Sequence, residues 1–125
     1  MADHCEKTVN ELFAAWTRLD LDGIMSHFAA DGVWDNVPMG PAKGPAAIRE
    51  MTHGFLKDTA TFSAKILKTV HLGNVVFNER VDTITMKNGK KADIPVAGMF
   101  EIDHAGKIKV WRDYFDLGTF TKQIS

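Results

Sequence analysis

The spacing of apolar residues changes at Thr61, and that change restricts the chain to few architectures. Before it, Val9, Leu12, Phe13, Trp16 and Leu19 recur every three or four residues, which lines them along one helix face. Asp20 is placed to cap a second, short helix carrying Leu21, Ile24, Met25 and Phe28 on one side, ended by Asp31-Gly32. Val33 to Val37 reads as a short strand closed by Pro38, followed by a loop holding Gly40, Pro41 and Gly44. Pro45 suits the first turn of a third helix whose Ala47, Ile48, Met51 and Phe55 face inward.

After Thr61 the period is two. Phe62, Ala64, Ile66, Val70 and Leu72 alternate with polar residues, interrupted at Lys68, as in a half-buried strand. Gly73-Asn74 turns into a second strand, Val75 to Met86, and Asn88-Gly89 is the strongest hairpin signal in the chain. A third strand puts Ile94, Val96, Gly98, Phe100 and Ile102 on one face, and Ala105-Gly106 turns into a fourth, Lys107 to Phe115. Helices followed by a meander mean an α+β fold. The expectation is a curved, mixed but mainly antiparallel sheet wrapped around the N-terminal helices, cone-shaped with an apolar pocket.

With 125 residues, 45% hydrophobic and 25% charged, the chain fits one domain, 1–125, and wholesale disorder is excluded. A net charge of −1 gives no general attraction to nucleic acid or anionic membrane. The single Cys5 cannot form an internal disulfide, the N-terminus lacks the pattern of a signal peptide, and no apolar run approaches membrane-spanning length, so a cytoplasmic protein is expected. The five histidines lack metal-ligand spacing, and neither a phosphate-binding glycine loop nor a nucleophile-elbow serine is present, so no metal or cofactor is expected. Lys87, Lys90 and Lys91 read as a solvated hairpin tip.

Charges inside the strands stand out against this background. In Asn78-Glu79-Arg80-Val81-Asp82, strand alternation puts Arg80 and Asp82 on one face with Val76, Ile84 and Met86. In Trp111-Arg112-Asp113-Tyr114-Phe115-Asp116, Asp113 shares its face with Trp111 and Phe115. An inward carboxylate needs a partner, and one guanidinium bridging Asp82 and Asp113 supplies it for both. Such a cluster carries −1 with both carboxylates ionised, so a shared proton is favoured and one Asp becomes an acid beside a base. On pattern alone Arg-x-Asp is equally the mark of a structural salt bridge. In Trp34-Asp35-Asn36-Val37-Pro38, Trp34 and Asn36 share a face, where the amide is able to hold a water. The commoner meaning of that segment is a core tryptophan followed by a turn residue before Pro38.

Together the three segments resemble the limonene-1,2-epoxide hydrolase family of the nuclear transport factor 2-like (SnoaL-like) superfamily, and the likeness spans nearly the whole chain. The resemblance implies that Asp82 is the general acid protonating the epoxide oxygen and Asp113 the general base deprotonating water. Arg80 would bridge and orient both, and Asn36 would hold the water. It further implies a one-step push–pull hydration of a small apolar epoxide to a vicinal diol, without cofactor, by a homodimer. Trp34 departs from the pattern: the family places there a water-positioning Tyr, whereas Trp offers one donor and no acceptor. The only tyrosine, Tyr114, points away from Asp113 by strand alternation. Superfamily relatives include ketosteroid isomerase and polyketide cyclases, so a different acid–base enzyme or a non-catalytic small-molecule-binding domain remain the alternatives.

Overall fold

The computed structural model describes residues 2–125. Two helices come first, α1 (Ala2–Thr17) and α2 (Leu21–Met25), followed by strands β1 (Phe28–Asn36) and β2 (Gly40–Lys43). Helix α3 (Pro45–Leu56) precedes the meander β3 (Thr59–Leu72), β4 (Val75–Met86), β5 (Lys91–Ile102) and β6 (Ile108–Tyr114), and α4 (Leu117–Ile124) closes the chain. The strands form one curved sheet in the order β2-β1-β6-β5-β4-β3. Every neighbouring pair is antiparallel except β1 and β6, which run parallel. The α+β class and the mixed, mainly antiparallel sheet are as the sequence predicts.

Helix α1 supplies the stripe that fills the concave side. Its Val9, Leu12, Phe13 and Trp16 are buried in one cluster with Phe62, Val76, Phe100 and Trp111 from the sheet. Asp20 caps α2 as expected, its carboxylate accepting from the Gly23 amide at 3.0 Å. No helix of the described residues is long and apolar enough to cross a membrane.

Four local expectations are corrected. Phe28 does not belong to α2, which ends at Met25; it opens β1, pairs with Ile108 and stacks on Trp111. A five-residue helix has little cooperativity with which to resist that pairing. Asp31-Gly32 consequently lies inside β1, at a shift in register between Phe28 and Val33. The expected loop at Gly40–Gly44 contains β2, which pairs with β1 from Asn36↔Gly40 to Val33↔Lys43, and Pro41 is tolerated because β2 is an edge strand.

The third correction is at Leu67. Ile66 pairs with Arg80 but Lys68 pairs with Glu79, so Leu67 is an extra residue that reverses the facing of all that follows. Val70 and Leu72 therefore lie on the outer face, 63% and 84% exposed, while Phe62, Ala64 and Ile66 stay inside. The fourth is α4, absent from the sequence reading, capped by Asp116, whose carboxylate accepts from the Thr119 amide at 3.0 Å. It covers the half of β5 that extends beyond its pairing with β6: Phe120 and Ile124 pack on Ala92, Ile94 and Val96.

Candidate active site

Two adjacent rows of side chains cross the concave face of the sheet. Register puts Trp34, Trp111, Phe100 and Val76 side by side on β1, β6, β5 and β4. The rings lie nearly flat on one another: Trp34 and Trp111 are 4.6 Å apart between centroids at 11°, and Trp111 and Phe100 are 5.6 Å apart at 23°. Two residues away on each strand, the next row reads Asn36, Asp113, Gly98 and Asn78. One apolar row thus adjoins one polar row, both set by the pleat.

Arg80 extends into the polar row from β4. It is 1% exposed, and its guanidinium carbon lies 4.6 Å from the centroid of the Phe13 ring. Its Nε donates to Asp82 Oδ1 at 2.8 Å, and its Nη2 donates to both Asp82 Oδ2 at 3.1 Å and Asp113 Oδ2 at 2.5 Å. Its Nη1 donates to Asn78 Oδ1 at 3.0 Å. The other Asp113 oxygen, Oδ1, accepts from Trp111 Nε1 at 2.7 Å. Both carboxylates are buried with the cation that joins them.

Burial and charge set the protonation states. Burial alone would depress the Arg80 pKa, but Asp113 and Asp82 outweigh it and hold the guanidinium above its ordinary value. Burial pushes the Asp82 carboxyl up to about 6, against the charge and hydrogen bonds of Arg80, with the nearby Asp113 adding to the rise. Below about pH 6 Asp82 therefore holds a proton beside Asp113.

Asp82 and Asp113 form the polar end of a cavity that Asn36 also lines, and its remaining walls are mostly aromatic, including Trp16, Phe55, Phe62 and Phe120. Arg80 does not line it; the guanidinium sits behind the two carboxyls it joins. Asn36 is buried beside Asp113, with its backbone held by the bonds Val37 N–H to Asp113 carbonyl and Met39 N–H to Asn36 carbonyl. Trp34 lines the cavity through its stacked ring, and its buried Nε1 has no hydrogen-bond partner among the described residues. Tyr114 is exposed on the outer face, as alternation predicts. No group of three His, Cys, Asp or Glu among the described residues is arranged to hold a metal.

Sequence reasoning missed four parts of this arrangement. Asn78 lies two residues before Arg80 and Trp111 two before Asp113, so period-two spacing was the available signal for both contacts. Gly98, in the middle of a strand, signals close approach of other groups. Phe120 reaches the cavity from α4, for which Asp116 ahead of Thr119 was the local sign.

Residues 4–125 match the family model of the limonene-1,2-epoxide hydrolase catalytic domain. The chain is similar to epoxide hydrolase EphG of Mycobacterium tuberculosis, 29% identical over 98 residues, which make up 78% of this chain and 64% of that protein. It thus spans just under two thirds of that relative's length. A solved structure of an M. tuberculosis epoxide hydrolase resembling the limonene-1,2-epoxide hydrolases superposes with a TM-score of 0.84 at 25% identity, covering 98% of this chain and 90% of that one. An NTF2-like protein of unknown function from Burkholderia pseudomallei shares the fold, with a TM-score of 0.86, 19% identity and 98% of both chains covered. On the family match over nearly its whole length, the chain belongs to the limonene-1,2-epoxide hydrolase family.

Proposed function

We propose that this protein hydrates an epoxide on a small, largely apolar molecule to a vicinal diol, in one step and without a cofactor. The observation that carries the reading is the shared cation: one Arg80 nitrogen donates to both Asp82 and Asp113 at the polar end of an otherwise apolar cavity. In this reading Asp113 takes a proton from a water held with Asn36, and the water oxygen attacks one epoxide carbon. The carbon–oxygen bond breaks, and the leaving oxygen takes the proton of Asp82. The cluster ends the turnover with its proton on Asp113, and Arg80, bonded to both carboxyls, keeps them close for the proton's return. Trp34 shapes the wall beside the water rather than adding an acceptor to it, since an indole has none.

The test is a single turnover in ¹⁸O-water. All label should enter the diol, and Asp82→Asn or Asp113→Asn should abolish it. Label found first in either aspartate would mean a nucleophilic carboxylate and would overturn the one-step mechanism. Failure to open any epoxide, with rapid α-proton exchange on a ketone, would move the assignment to an isomerase- or cyclase-like reaction. Two further elements belong to the same reading: a cytoplasmic location, supported by the unpaired Cys5, and a homodimer, supported by the apolar outer face of the sheet.

A further inference from the structure

Two of the three Arg80 nitrogens face carboxylates, and the third does not. Nη1 donates to the side-chain carbonyl of Asn78, a buried neutral acceptor that does not line the cavity. We propose that Asn78 is a positioning residue: it fixes the Arg80 guanidinium between Asp82 and Asp113 and, being neutral, leaves the cluster needing a single proton. The inference rests on the acid–base reading above, and it concerns a residue that acts only through Arg80.

Two observations point to Asn78 beyond the hydrogen bond. Its buried Nδ2 has no partner among the described residues, so the fold retains an orphaned donor in order to present Oδ1 to Arg80. The space in which these groups meet is also kept bare by Gly98 on the intervening strand. A Cβ there would lie 2.5 Å from Arg80 Nη1, 2.8 Å from Asp113 Oδ1 and 3.0 Å from Asn78 Oδ1. Side chains of β4 and β6 make contact across β5 because β5 contributes none at that point.

The neutrality of Asn78 has a chemical consequence. Arg80, Asp82 and Asp113 sum to −1 when both acids are ionised, so one proton neutralises the cluster. A carboxylate at position 78 would bring the sum to −2 and call for a second proton. Among the described residues, β3 presents Ala64 and Ile66 opposite Asp82 and Arg80 and Thr69 opposite Asn78, β5 presents Ile94 and Val96, and α1 presents Phe13. The next inward residue of β3, His71, is paired with Glu6 of α1 at 3.3 Å.

The test combines direct titration with kinetics. Carbon-13 NMR of the aspartate carboxyls should show the highest midpoint of the cluster moving up by about one pH unit or more in Asn78→Asp. Asn78→Leu, which keeps the shape and removes the acceptor, should speed hydrogen exchange at Arg80 Nε about tenfold and lower kcat about 10- to 100-fold with little change in KM. An unmoved midpoint in folded Asn78→Asp, or Asn78→Leu with unchanged exchange and kcat, would overturn the proposal. If Asn78→Asp does not fold, Asn78→Leu decides alone. If the wild-type protein opens no epoxide yet the midpoint and exchange respond as expected, the positioning role stands and the hydrolase reading fails.

Discussion

Asp82 couples the stability of this protein to pH. Its carboxyl is held near 6 in the fold against 3.8 in a free chain, so between those values the folded state binds more protons than the unfolded one. The resulting stabilisation is fully present below the unfolded value and is lost as pH rises through about 6. Asp82→Asn cannot ionise, so its stability relative to wild type should improve by on the order of 3 kcal/mol between pH 4 and pH 8. Urea unfolding at both pH values measures this, and a constant difference would show that Asp82 is not the group holding the proton. Hydrolysis should follow the same ionisation: if protonated Asp82 is the acid, kcat/KM falls above a midpoint of about 6. At this scale much was legible beforehand, because alternation alone puts Arg80, Asp82 and Asp113 on inward faces. Their meeting was expected from the need of each inward carboxylate for a partner and from the family resemblance, but spacing did not show the route. Strands β4 and β6 are separated by β5, and only a strand lacking a side chain at position 98 lets them touch.

At the scale of elements, α4 and the bare half of β5 depend on each other. Beyond the end of its pairing with β6, β5 exposes backbone groups on one edge, and the Gln123 side chain satisfies two of them. Its Oε1 accepts from the Asp93 amide at 2.8 Å and its Nε2 donates to the Asp93 carbonyl at 2.9 Å. Gln123→Ala should therefore accelerate amide exchange at Asp93 about tenfold, the equivalent of one lost hydrogen bond. Unchanged exchange would mean that α4 is held by Phe120 and Ile124 alone. The strands of the meander were readable because half-burial imposes a period of two. Helix α4 has no fully buried residue and so leaves a weak stripe, and β2 is an edge strand of four residues whose Gly40 and Pro41, with Gly44 directly after the strand, read as loop. The bulge at Leu67 was also hidden: Lys68 marked an interruption, but a break in alternation does not say which side the following residues take.

At the scale of the whole molecule, the convex face of the sheet carries an apolar strip among charged neighbours such as Lys68 and Glu79. Leu67, Val70, Leu72, Phe77 and Tyr114 are all exposed, and register pairs Val70 with Phe77 across β3 and β4. The proposed homodimer would bury this strip. Phe77→Glu should convert a dimer into a monomer in sedimentation velocity while leaving the helical and strand content unchanged, and a wild type that sediments as a monomer would remove the dimer from the reading. The concave side has a different consequence, of a spectroscopic kind. All three tryptophans of the chain, Trp16, Trp34 and Trp111, border one cavity, and two are stacked face to face. Indole emission from this protein therefore comes from the walls of the pocket and from nowhere else, so a molecule entering it needs no label to be seen.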